Sequence, residues 1–197
     1  MIQNIVIDMG GVLYRFEPDL PYREYPGEDG KILYNAIFGS PDWRRQDLGE
    51  IDEDEMISLA SARVPERLRP AVARIVRWYE LTGPVPGMAG LAQELSEKGY
   101  TLYLLSNVGF AFHNFRDLIP ALRYCKGEFL SAEHGLLKPD PAIFRKFMAT
   151  FDLQAEECLF IDDMAPNIEG ARSVGMEGVV FENAEQLRKR LVEIGVL

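Results

Sequence analysis

Asn4-Ile5-Val6-Ile7 is a short β-branched run that stops at Asp8 and meets Gly10-Gly11. A strand buried on both faces that runs into a tight polar loop has this pattern, and the pattern recurs along the chain. After Pro84-Val85-Pro86-Gly87 the rhythm becomes regular. A helix over 88–98 stops at Gly99, and Thr101-Leu102-Tyr103-Leu104-Leu105 follows as a second strand ending in Ser106-Asn107. Glu128-Phe129-Leu130-Ser131 reads as a weaker third strand, and Pro141 opens a helix to about Phe151. Cys158-Leu159-Phe160-Ile161 is a fourth strand, closed by Asp162-Asp163. A helix near 167–174, a short strand over 178–181 and an amphipathic helix over 184–194 follow. Strands alternating with short helices predict an α/β fold: a doubly wound parallel sheet, Rossmann-like, with helices on both faces.

Between about Tyr14 and Pro84 the character differs. No β-rich run occurs, charged and apolar residues interleave at helical spacing, and Pro18, Pro21, Pro26, Pro41, Pro65 and Pro70 punctuate the stretch. Acidic residues at 52–55 suit a helix first turn, and a helix over 70–81 would carry Val72, Ile75, Val76 and Tyr79 on one face. The expected division is an α/β core of 1–14 and 85–197 with an inserted all-helical unit of 15–84. At 197 residues, 47% of them hydrophobic, the chain can bury a sizeable core. A formal charge of −10 argues against nucleic acid as the main partner. No apolar run approaches the roughly 18 residues of a membrane span, and the first residues lack the basic start of a signal peptide, so a cytoplasmic location is expected. The two cysteines, Cys125 and Cys158, are then expected as reduced thiols, with Cys158 in the core. The oligomeric state is not legible.

Residues just past the ends of parallel strands line one sheet edge, where ligands bind in such folds. Asp8, Ser106-Asn107 and Asp162-Asp163 follow strands one, two and four, and Lys138-Pro139 follows the weak third. Singly, each has a plain structural use as a turn, a helix cap or a solvated loop. Together they bring one lysine and three carboxylates to one edge. Two carboxylates about 4 Å apart repel by roughly 4 kcal/mol at an effective dielectric of about 20, so three of them call for a cation. All-oxygen ligands suit a hard ion such as Mg²⁺, and three carboxylates, Mg²⁺ and Lys138 sum to zero. That leaves room for a phosphate.

In this order the residues resemble the motifs of the haloacid dehalogenase superfamily of phosphohydrolases: Asp8-Met9-Gly10-Gly11-Val12, Leu104-Leu105-Ser106-Asn107, Lys138-Pro139, and Phe160-Ile161-Asp162-Asp163 with Asn167. The match spans the chain apart from the insert, which resembles the family's first cap type. Gly135–Asp140 and Asp162–Ala171 are most similar to small bacterial sugar-phosphate phosphatases and to the phosphatase domain of bifunctional epoxide hydrolases. The resemblance implies a Mg²⁺-dependent phosphomonoesterase acting on a small phosphate ester, with a sugar phosphate as first expectation. Asp8 would be the nucleophile and would ligate Mg²⁺ with the Gly10 carbonyl and Asp163, while Asp162 or Asn167 would hold the ion's water from behind. Ser106 and the Asn107 amide would bind phosphoryl oxygens, and Lys138 would offset their charge.

One position departs from the family pattern. A second Asp, the usual acid–base group, is expected two residues after the nucleophile, and Gly10 stands there. Such help is typically worth about 10²–10⁴-fold. Three readings stay open: a good leaving group such as an anomeric phosphate, a proton donor from the insert, or a phosphate-binding protein with poor turnover. In capped relatives the insert selects the substrate, so Tyr14, Arg15, Phe16, Trp43, Arg44 and Arg45 are candidate contacts. Neither His113 nor His134 is expected near the metal. Two rivals are a metal-independent 2-haloacid dehalogenase, against which Asp162-Asp163 argues, and a receiver-like domain, which pairs its acids after the first strand.

Overall fold

The computed structural model describes all 197 residues. Five parallel strands form one sheet: β1 (Asn4–Ile7), β2 (Thr101–Ser106), β3 (Cys125–Leu130), β4 (Cys158–Asp162) and β5 (Glu177–Val180), in the order β3-β2-β1-β4-β5. Because β1 is central, Ile7 pairs with Leu104 on one side and Ile161 on the other. Asp8 therefore leaves the sheet between the ends of β2 and β4, at the point where the strand order switches direction.

Strand side chains alternate between faces, and each face has its own core. Ile5, Ile7, Leu102, Leu104, Leu159 and Ile161 pack with helices Met88–Glu97 and Ala184–Glu193, while Val6, Tyr103, Leu105, Phe129 and Phe160 pack with helices Pro141–Phe151 and Ala165–Arg172. This is the doubly wound α/β arrangement expected. Truncating Phe144 or Phe147, both fully buried in the second cluster, belongs to the class of change that costs about 3–5 kcal/mol.

Residues 20–76 hold α1 (Leu20–Glu24), α2 (Glu28–Ala36), α3 (Pro41–Asp47), α4 (Glu53–Arg63) and α5 (Arg69–Val76), and enclose a third apolar cluster that includes Leu33, Ile37, Met56, Val72, Ile75 and Val76. Ser40 and Asp52 cap α3 and α4 through their side chains. Asp42 is buried against Arg63, which joins α3 to α4, and against Arg45 one turn along α3, and hydrogen bonds from both hold its carboxyl below the usual range. No helix is long and apolar enough to cross a membrane.

Three local expectations shift. The helix expected over 70–81 stops at Val76, and Trp78–Glu80 form a separate 3-10 turn. Tyr79 leaves the face of Val72 and Ile75 to stack on Phe115 in the sheet-side core, with centroids 4.5 Å apart. Aromatic burial against the sheet outcompetes helix continuation there. Next, β3 begins at Cys125, three residues before the expected Glu128, because an edge strand needs only one buried side. Gly127 is needed within it, since a Cβ there would lie 2.4 Å from the Phe151 ring. Finally, the helix expected over 167–174 spans Ala165–Arg172.

Candidate active site

The ends of β1, β2 and β4 and the loop after β3 meet at one edge. Lys138 lies there with its side chain 1% exposed and its ammonium 2.8 Å from Asp8 Oδ1 and 2.7 Å from Asp162 Oδ2, donating also to the Leu105 carbonyl at 3.0 Å. Asn107 fixes the loop that carries it: the Asn107 carboxamide donates to the Lys138 carbonyl and accepts from the Lys138 N–H, both at 2.9 Å. Behind the loop, Gly170 allows the close approach, because a Cβ there would lie 2.4 Å from the Pro139 carbonyl oxygen. Asp162 is fully buried and accepts from Lys138, from the Met164 N–H at 2.8 Å and from Asn167 Nδ2 at 2.9 and 3.0 Å.

Electrostatics follow from this crowding. Burial pushes Asp8 up to about 7, with Asp162 adding to the effect and Lys138 opposing it. Asp163 is also raised, by burial and by the Asp162 charge. Lys138 is held above its ordinary range: burial works against its charge, but Asp8 and Asp162 prevail. Carboxylate oxygens of Asp8, Asp162 and Asp163 all lie within 4.8 Å of one another. One ammonium against three carboxylates leaves two negative charges, and Asp163 has no cationic partner. An all-oxygen set with that deficit fits a hard divalent ion. Gly11 is part of the fit, since at φ +77° it leaves room for Asp163 Oδ2, which would lie 2.4 Å from a Cβ at that position.

A chamber of about 270 Å³ opens beside these groups, lined by Asp8, Gly10, Ser106, Asn107, Lys138, Asp163 and Asn167 on the sheet side. Its helical side carries Phe16, Trp43, Gln46, Asp47, Glu53, Trp78 and Tyr79. All seven sheet-edge candidates other than Asp162, which is buried behind Lys138, therefore reach the chamber. Of the insert candidates, Phe16 and Trp43 line it.

The rest do not. Tyr14 is buried, its hydroxyl donating to the Tyr79 carbonyl. Arg15, the next residue, is exposed and pairs through its N–H with the Gly83 carbonyl. Arg44 is exposed and Arg45 is spent on Asp42 and Glu50. The buried sides of these segments face packing partners, so their charged residues turn to water. His113 pairs with Glu133 and His134 stacks on Phe129, away from the chamber, as expected.

Sequence reasoning passed over Gln46, Asp47, Glu53 and Trp78. For Asp47 a signal existed, because it lies four residues after Trp43 and so shares that residue's helix face. For the others the placement depends on how α3, α4 and the 78–80 turn dock.

A profile of the haloacid dehalogenase-like hydrolases matches residues 2–175. The D-ribitol-5-phosphate phosphatase of Bacteroides thetaiotaomicron is 31% identical over 216 residues, covering 98% of both chains. A sesquiterpene phosphatase of Aspergillus oryzae is 27% identical over 178 residues, covering 88% of this chain and 87% of its own. Among solved structures, a haloacid dehalogenase family enzyme of B. thetaiotaomicron in complex with magnesium and inorganic phosphate superposes with a TM-score of 0.72 at 22% identity, covering 93% of this chain and 96% of that one. This last likeness is one of fold.

Proposed function

The chain belongs to the haloacid dehalogenase-like hydrolases, and from that premise we propose that it is a Mg²⁺-dependent phosphomonoesterase of a small, singly phosphorylated polyol or sugar, working through an aspartyl-phosphate. In this reading residues 15–84 cap a core of 1–14 and 85–197, and the cytoplasm is the expected setting. The observation that carries it is the lysine shared between Asp8 and Asp162 beside an unpaired Asp163.

Asp8, through one carboxylate oxygen, attacks phosphorus in line with the ester oxygen. Ser106 and the Asn107 N–H hold the phosphoryl oxygens, and Lys138 balances the charge that Asp8 and the phosphate bring together. Asp8, the Gly10 carbonyl and Asp163 would hold Mg²⁺, with Asp162 and Asn167 supporting them from behind. When bound, the ion supplies the remaining positive charge for three carboxylates and a phosphate.

The helical wall supports a neutral, hydroxylated substrate body. Phe16, Trp43 and Trp78 offer ring faces, while Gln46, Asp47 and Glu53 offer acceptors. Gln46 Oε1 is buried without a hydrogen-bond partner, which calls for a donor. A second phosphate would meet these acceptors and no cation. Phosphate release from a panel of sugar and polyol monophosphates and bisphosphates, with and without EDTA, tests the reading. Activity that requires Mg²⁺ and favours monophosphates is expected; halide release from 2-chloropropionate that survives EDTA would replace it with a dehalogenase.

Metal binding has a test of its own. A divalent ion at about 100 times its Kd stabilises by about 2.7 kcal/mol, which for a chain of this size raises Tm by roughly 5–10 °C. Mg²⁺ is expected to give such a rise with wild type and little or none with Asp163→Asn or Gly11→Ala. A full response in both variants would remove Asp163 from the ligand set.

A further inference from the structure

Expelling an alkyl alkoxide at neutral pH needs a proton. Among the chamber groups, Asp8 is the attacking group, and Lys138 must stay charged between Asp8 and Asp162. Glu53 is held by Arg77 at 2.9 Å and by the Tyr79 hydroxyl at 2.9 Å. That hydroxyl, pushed up to about 12 by burial and by Glu53, is a poor acid. With Asp163 assigned to the metal ion, one carboxyl of the chamber is left. Asp47 lines the chamber, and its side chain makes no ion pair and no hydrogen bond within the protein, although its backbone carbonyl accepts from Ser131 Oγ at 2.6 Å.

Its position is built rather than incidental. Gly49, at φ +73°, lies so close to the short helix Ser131–His134 that a Cβ would sit 2.3 Å from the Ala132 carbonyl oxygen. Together with the Ser131 bond, this pins the end of α3 over the sheet edge. Asp8 enters from the sheet and Asp47 from the helical side, and an in-line attack sends the leaving oxygen away from Asp8. Burial and the Asp8 charge push Asp47 up to about 7, with Lys138 and Arg44 pulling the other way, so near neutral pH it populates both the form that gives and the form that takes a proton.

We propose that Asp47 is the acid–base residue of this reaction, an assignment that rests on the phosphomonoesterase reading above. In the first step the Asp8–phosphorus bond forms, the phosphorus–ester oxygen bond breaks, and the Asp47 carboxyl gives its proton to that oxygen. In the second, water attacks the phosphorus of the aspartyl-phosphate, the bond between phosphorus and the Asp8 oxygen breaks, and the Asp47 carboxylate takes the water's proton. Inorganic phosphate leaves, and both aspartates return to their starting forms.

The leaving group provides the test. p-Nitrophenolate departs with little help, whereas a sugar or polyol alkoxide does not. In Asp47→Asn, the ratio of kcat/KM for the best alkyl phosphate to that for p-nitrophenyl phosphate is expected to fall by about 10²-fold. Adding Gly10→Asp to that variant is expected to recover part of the ratio, since Gly10 lines the chamber and a Cβ there meets only Phe16, at 3.6 Å. An unchanged ratio, whatever the absolute loss, overturns the assignment, because a packing or binding role would weaken both substrates alike. A wild type that cleaves p-nitrophenyl phosphate but no alkyl phosphate overturns it too. In the first case, phosphate release that Asp8→Asn abolishes would leave the parent reading standing; in the second it would leave the aspartyl-phosphate chemistry but remove polyol and sugar phosphates as its substrates.

Discussion

Asp8→Asn is expected to lower phosphate release by roughly 10⁵-fold or more, the scale on which removal of a covalent nucleophile is felt, while the protein stays folded. The carboxamide matches the carboxylate in shape, so the end of β1 and its contacts with Met9 and Lys138 keep their geometry, but it cannot form the aspartyl-phosphate. Lys138 retains Asp162 at 2.7 Å. Because burial and Asp162 make the charged form of Asp8 costly, its replacement should leave the metal-free protein at least as thermostable as wild type. Rates measured with Mg²⁺ on p-nitrophenyl phosphate, beside melting curves in EDTA, separate chemistry from folding. Metal-dependent turnover above about 1% of wild type would place the nucleophile elsewhere, since a displaced or substitute group rarely keeps even 10⁻² of the rate.

Lys138→Met should be the most destabilising single change at the site. Breaking a buried ion pair by removing one partner costs about 3–5 kcal/mol, because the remaining charge is stranded. Here two carboxylates lose their only ammonium, and the Leu105 carbonyl loses a donor. For a chain of this length the expected fall in Tm is about 10 °C, with phosphatase activity lost alongside. Asp162→Asn in the same chain removes one stranded carboxylate and should return part of the stability. Urea unfolding of the four proteins in this cycle reads the coupling directly, and additive losses would show that the lysine does not bind the site together.

Much of the sheet side was legible. β1 falls at Asn4–Ile7 as expected, and the helix opened by Pro141 ends at Phe151. Both are written in local chemistry: a strand buried on both faces favours a β-branched apolar run such as Ile5-Val6-Ile7, and proline followed by an amphipathic period has few alternatives. Polar residues directly after such strands are brought together by parallel topology alone, so Asp8, Ser106, Lys138 and Asp163 could be expected at one edge without knowing any contact distance.

The helical side was read less well. Arg15, just past the first loop, and Arg44 and Arg45, in the helical region, are the cations expected to grip a substrate, yet all three lie outside the chamber lining. Trp43 reaches it, as does Asp47 one helical turn later. Tyr79 was expected on a helix face with Val72 and Ile75, but it stacks on Phe115, thirty-six positions away in the chain.

What local sequence settled, then, is the α/β class, the strand ends and the acidic-basic set they carry, because strand burial and parallel pairing leave a residue after a strand only one place to go. The chamber's other wall was decided by docking. Whether Asp47 or Arg44 faces the substrate depends on the rotation of α3, set by Asp42 between Arg45 and Arg63 and by Ser131 and Ala132 more than eighty residues downstream. Those long-range contacts leave no mark in the local pattern, since either rotation satisfies the same helical period.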